Sequence, residues 1–175
     1  MKKYRSTKFA RRRADGFTLV ELVVVITVIA LLATIALSRF ASITSAARSS
    51  NLEGIAGSMR TTIALVRSQA KVLGLSPAAS NPGAGQSRFV IESELGLAEL
   101  DWRNLCPESS AELGDALDMA DYLALNLTSD LNLEVNNQFT RIGYEITNSA
   151  SAGCYLVYGS FGFPNCTVDV VDVDC

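Results

Sequence analysis

An α+β fold, one long N-terminal helix followed by a small antiparallel sheet, is what this 175-residue chain predicts, and three observations carry it. Seven of its fifteen Lys and Arg lie in the first sixteen residues, directly ahead of an apolar run. Apolar residues then recur at helical spacing to about Leu73, and from Tyr122 the period shifts toward two.

The elements follow in order. Residues 1–16 are a basic leader, and the composition breaks at Gly16. A secretory signal peptide would be cut after its apolar region at small residues, but here Leu37, Arg39 and Phe40 continue the pattern with no such site, so the apolar segment stays with the product. Residues 17–40 are mostly Val, Ile, Leu and Ala; 24 residues of helix reach about 36 Å, enough for a bilayer core of about 30 Å. A single span must be helical, because lipid offers its backbone no hydrogen-bonding partner. Residues 41–73 continue the helix as an amphipathic one, with Leu52, Ile55, Ala56, Met59, Ile63, Val66, Ala70 and Leu73 on one stripe and Arg48, Glu53, Arg60, Arg67 and Lys71 on other faces. Gly54 and Gly57 suit close approach of neighbouring helices.

Gly74 and Pro77 end the helix and open the globular region, residues 74–175, large enough for one small domain. Asn81-Pro82-Gly83-Ala84-Gly85 reads as a loop. A short strand is expected at Phe89–Ile91, with helical turns around Leu95–Leu100 and Ala111–Met119. Period-two strands are expected at Leu123/Leu125/Leu127, Leu131/Leu133/Val135, Tyr144/Ile146, Tyr155–Tyr158 and Val168–Val173, separated by turn clusters.

Charge and composition narrow the function. Removing the leader leaves eight basic and seventeen acidic residues, so the net charge moves from −3 to −9. The basic leader belongs on the cytoplasmic side by the positive-inside rule, and the acidic product argues against a nucleic-acid partner. Histidine is absent, which removes the commonest general base and metal ligand. No Ser or Asp nucleophile has a recognisable base beside it, so no catalytic residue is assigned, the chain is not read as an enzyme, and no cofactor is called for.

Four groups of residues are candidates for function. Glu21 is a carboxylate near the start of a spanning helix, at an insertion cost of about 2.5–3.5 kcal/mol, and so calls for a partner. The four cysteines, Cys106, Cys154, Cys166 and Cys175, lie beyond the helix and read as two disulfides in a translocated domain. An extended Thr167–Asp174 separates Cys166 from Cys175 by about 30 Å, while a hairpin centred near Gly162-Phe163 sets Cys154 opposite Asp172; Cys154 then pairs with Cys175 and Cys106 with Cys166. No metal site is assigned; Asp169, Asp172 and Asp174 are a calcium alternative, weighed against a solvated strand face. Tyr155, Tyr158, Phe161 and Phe163 form the densest aromatic cluster, whose exposed members are a candidate adhesive or intersubunit patch.

Gly16-Phe17-Thr18-Leu19-Val20-Glu21-Leu22, behind a basic leader, resembles the class III signal of type IV pilins and pseudopilins. The resemblance implies cleavage between Gly16 and Phe17 by a prepilin peptidase, N-methylation of Phe17, and assembly through Glu21, whose carboxylate would meet the Phe17 amine of a neighbour. Asn51–Ser58, Ala64 and Ser68-Gln69 are similar to pilins of the mannose-sensitive haemagglutinin group. At Ser38 the chain departs from the Pro that many members carry. The implied partners are copies of the same subunit, the peptidase, an inner-membrane assembly platform with its ATPase, and lipid before assembly. The implied role is a pilus filament subunit used for surface attachment, passing from the inner membrane, with its N-terminus cytoplasmic, to an extracellular pilus. The alternative is a pseudopilin of a type II secretion system.

Overall fold

The computed structural model describes residues 16–123, 125, 130–161 and 166–175. Residues 1–15 of the expected leader, Leu127 of one expected strand, and Gly162 and Phe163 of the expected hairpin lie outside them. By internal contacts the chain divides into two units, Met1–Ala41 and Ser42–Cys175.

The helix α1 runs Leu19–Val72. Within the first unit its apolar side chains are all exposed, Leu31 at 69% and Leu37 at 70%. By length and composition this segment is sufficient to cross a membrane. Within the second unit Leu52, Ile55, Ala56, Met59, Ile63, Val66 and Ala70 form a buried stripe at spacings of three and four. Gly74 ends the helix with a φ of 78°, in the left-handed region that costs a glycine least, while Leu75 donates its N–H back to the Ala70 carbonyl at 3.0 Å.

The globular unit is α+β and pilin-like. A short 3-10 helix, Gly83–Phe89, leads into the hairpin of β1 (Val90–Ser93) and β2 (Gly96–Glu99). A four-residue helix α2 (Met119–Tyr122) follows, capped by Asp118 and Asp121. Strands β3 (Asn132–Val135), β4 (Phe139–Glu145), β5 (Cys154–Gly159) and β6 (Thr167–Val171) then pair in sequence order as an antiparallel sheet. The α1 stripe serves both sheets. Leu52, Ile55, Met59 and Ile63 belong to one core with Ile142, Leu156 and Tyr158, whereas Val66 and Ala70 belong to a second with Phe89, Ile91, Ala98, Leu100 and Leu105.

Several expected elements are different. Leu95–Leu100 is not helical: the two-residue connection between Ser93 and Gly96 returns the chain as β2, which buries Ala98 and exposes Leu97. Of Ala111–Met119, Met119 alone is helical, because Asp118 starts α2 there. No strand includes Leu123 or Leu125; Leu123 is the C-terminal cap of α2. β4 begins five residues before Tyr144 and ends before Ile146. It carries a bulge between Gly143 and Glu145, where a Cβ on residue 143 would collide with Tyr155 and the Cys154 carbonyl. β6 stops at Val171, short of Val173.

Candidate functional site

The start of α1 is built from Gly16, Phe17, Thr18 and Glu21. Glu21 accepts the Thr18 N–H at 2.9 Å and the Thr18 hydroxyl at 2.7 Å, and its own N–H donates to the Thr18 hydroxyl oxygen at 3.2 Å. This is a reciprocal capping box: two backbone donors that the first turn leaves without partners are met by side chains three residues apart. Glu21 therefore has a partner within its own chain, and Thr18 is the site residue that reasoning from Glu21 alone missed. The T-x-x-E spacing ahead of an apolar run was the signal for it. Phe17, 87% exposed, stands immediately before the cap beside Gly16, whose Cα has open space around it. Glycine, aromatic and capped carboxylate are thus all presented at one accessible helix end. The next ionisable residue along the helix is Arg39, so Glu21 is the sole carboxylate of this apolar segment.

In the globular unit the structure brings the cysteines together as Cys106–Cys166, with Cα atoms 5.6 Å apart, and Cys154–Cys175, at 4.7 Å. No cysteine is free among the described residues. The first bridge joins the segment after β2 to the entry of β6; the second ties the start of β5 to the residues after β6, where Asp174 also accepts the Gly153 N–H at 2.6 Å.

The three C-terminal aspartates are not gathered into a ligand set. Asp169 faces Val157 in the sheet register, Asp172 accepts the Ser49 hydroxyl at 3.1 Å, and Asp174 is held by Gly153. Among the described residues no group of three His, Cys, Asp or Glu side chains could hold a metal ion. Tyr155 and Tyr158 are core, whereas Phe161 is 44% exposed and lies against the Arg103 guanidinium at 4.1 Å. Gly54 and Gly57 have open space around them.

Residues 11–37 match the family described as the prokaryotic N-terminal methylation motif. Over 59 residues, 34% of this chain, it is 42% identical to the type IV narrow pilus major component PilA5 of Thermus thermophilus. The chain covers about half (51%) of the length of that curated relative. No solved structure matches.

Proposed function

We propose that this chain is a type IV pilin subunit, inserted first as a single-pass precursor and then polymerised through α1 into a surface filament used for attachment. The observation that carries the reading is the juxtaposition, within a methylation-motif match, of a capped carboxylate with an apolar helical segment whose side chains find no burial in their own unit. Such a surface is stable in lipid or against copies of itself, and in water it is not. The likeness to a named major pilus component supports the filament over a free membrane protein.

In this reading the leader stays cytoplasmic, a prepilin peptidase cuts between Gly16 and Phe17, and the new Phe17 amine is methylated. Glu21 then serves twice. In the membrane it closes the Thr18 cap, which lowers the cost of carrying a carboxylate there; in the filament it meets the Phe17 amine of an axially displaced neighbour. An assembly platform and its ATPase supply the work of extraction, and the globular unit faces outward.

The test has two parts. Mass spectrometry of the exported subunit should find a chain beginning at methylated Phe17; any other terminus overturns the assignment. Electron microscopy of cells lacking the gene should show loss of long surface fibres, whereas intact fibres with impaired protein export would make the chain a type II secretion pseudopilin.

A further inference from the structure

The segment from Glu99 to Met119 carries six carboxylates, four of which, Glu99, Asp101, Glu108 and Glu112, act on one another, and it is fastened to the sheet at several points. Asn104 donates to the Ser160 carbonyl at 2.7 Å, the Tyr158 hydroxyl to the Pro107 carbonyl at 2.6 Å, and the Thr140 hydroxyl to the Ser109 carbonyl at 3.3 Å. The Cys106–Cys166 bridge lies in the same stretch. Leu105 is 3% exposed yet has a φ of 63°, and Cys166 has a φ of 55°, left-handed conformations that strain a side-chain-bearing residue. The strained backbone is thus held against the sheet by these bonds and by the bridge.

The hydrogen bonds decide which carboxylate is the odd one out. Glu99 accepts two backbone N–H groups, from Glu112 at 2.6 Å and Leu113 at 2.9 Å, so its charge is satisfied. Asp101 accepts the Arg103 N–H at 2.6 Å and faces the guanidinium at 3.4 Å. Glu112 is exposed. Glu108, 9% exposed, has the Ser160 hydroxyl at 3.3 Å. The groups that face it are Asp101, Glu99 and Glu112 from its own segment, and Tyr158 and Ser160 from β5 and the residue that follows it; Arg67 of α1 acts on Tyr158 from the helix side. The nearby cation, Arg103, is committed to Asp101 and lies 4.1 Å from each of the Trp102 and Phe161 rings. Burial first, then the charges of Asp101, Glu99 and Glu112, push the Glu108 carboxyl up to about 8 from its ordinary 4.5.

We propose that Glu108 is a proton-held latch: while it carries its proton the segment stays closed over the end of β5, and loss of the proton releases it. The sign follows from linkage. The carboxyl is harder to ionise in the closed segment than in an open one, so closure is complete below the ordinary carboxylate range and weakens as pH rises toward 8. An outer surface exposed to a variable medium would thereby loosen as acid gives way to mild alkali.

Hydrogen exchange of the full chain in detergent micelles tests this, once corrected for base catalysis of exchange itself. The ceiling is about tenfold per pH unit. Amides between Leu105 and Leu113 should show an opening constant that rises about tenfold or more between pH 5.5 and 7.5, and Glu108→Gln should abolish that rise. Glu112→Gln, on the exposed member, removes one repelling charge and should complete the rise at lower pH, which keeps the test intact if Glu108→Gln fails to fold. A parent protein with no pH-dependent opening, a Glu108→Gln protein that keeps it, or a Glu112→Gln protein with an unmoved rise would each overturn the latch.

Discussion

The same helix is used in two opposite ways on either side of Ala41. Before it, Val, Ile and Leu surround the axis and all remain exposed; after it, seven apolar residues lie on one stripe and are buried. The difference is one of pattern rather than of hydrophobicity. A helix apolar all round has no preferred side for a core and must be dissolved in something else, whereas one with a stripe dictates which face meets the sheet. The ionisable residues follow the same division. Beside the stripe, Lys71 is exposed, Arg60 donates to the Val168 carbonyl at 3.1 Å and Arg48 lies over the Tyr144 ring, while Glu21 at the other end is tied to Thr18. A buried stripe and a surface apolar all round thus share one helix.

Glu21→Ala strikes the exposed half of the helix and spares the buried half. It removes the carboxylate half of the capping box, leaving the residue-21 N–H on the Thr18 hydroxyl, and it removes the carboxylate that the filament reading sets against a neighbouring amine. Leaving that amine buried without its counter-charge costs about 3–5 kcal/mol at each subunit, so fibre yield should collapse. Thermal unfolding of the globular unit should not move. Normal fibres from Glu21→Ala, counted against the membrane pool of subunit, would leave Glu21 with its cap alone.

A matched pair of truncations comes next. Met59→Ala, in the core with Ile142 and Leu156, should lower the stability of the globular unit by about 2–5 kcal/mol through lost burial and a cavity. Leu31→Ala removes a similar volume from a side chain 69% exposed and should leave that unfolding unchanged while weakening insertion or assembly. Equal effects of the two on domain unfolding would show that the first half of α1 contributes to the core after all. The disulfides extend the series. Replacing Cys106 and Cys166 together by Ser opens a loop of sequence separation 60, and replacing Cys154 and Cys175 one of 21, so the first should cost about 4 and the second about 3 kcal/mol in denaturant titrations.

Legibility in the sequence follows the length of the signal. α1 was readable because its stripe repeats over about five turns, and Gly74 marked its end with a requirement no other residue meets as cheaply. β3, β5 and β6 were readable from alternation between turn clusters, although β6 ends two residues before Val173. β2 and the Ala111–Met119 region were not. A four-residue element holds too few apolar residues to establish either period, and the Asp118 cap that fixes α2 depends on backbone geometry. At Leu123 and Leu125 the expected strand is absent for a related reason: these two leucines pack partly buried against the core from outside any strand, and Leu127 lies outside the described residues. At the N-terminus, the spacing that marked Glu21 as unusual also encoded its partner Thr18. The carboxylates around Glu108 gave no warning, since residues 99 to 112 converge only once β2 and β5 are placed.

The smallest expected effect concerns pH, and it separates the two regions by their chemistry. Most carboxylates in folded proteins are easier to ionise than in the unfolded chain, so stability is lost in acid. Here burial raises Asp101, Glu108 and Asp118, with Glu108 reaching about 8. A group raised on folding contributes fully below its unfolded pKa and loses that contribution as pH climbs through the folded value. Global stability of the globular unit should therefore fall between about pH 5 and pH 9 instead of rising. The full Glu108 shift sets a ceiling near 4–5 kcal/mol. Solvent reaches the group through the recess that Glu108 shares with Asp101 and Glu112, and ionised Asp101 keeps its bonds to Arg103, so the expected loss is about 1–2 kcal/mol. The helical content of residues 22–38, which hold no ionisable side chain, should stay constant over the same range. Stability that rises with pH in urea titrations of the parent, or a loss that persists undiminished in Glu108→Gln, would show that the carboxylates around Glu108 do not govern the unit's response to protons.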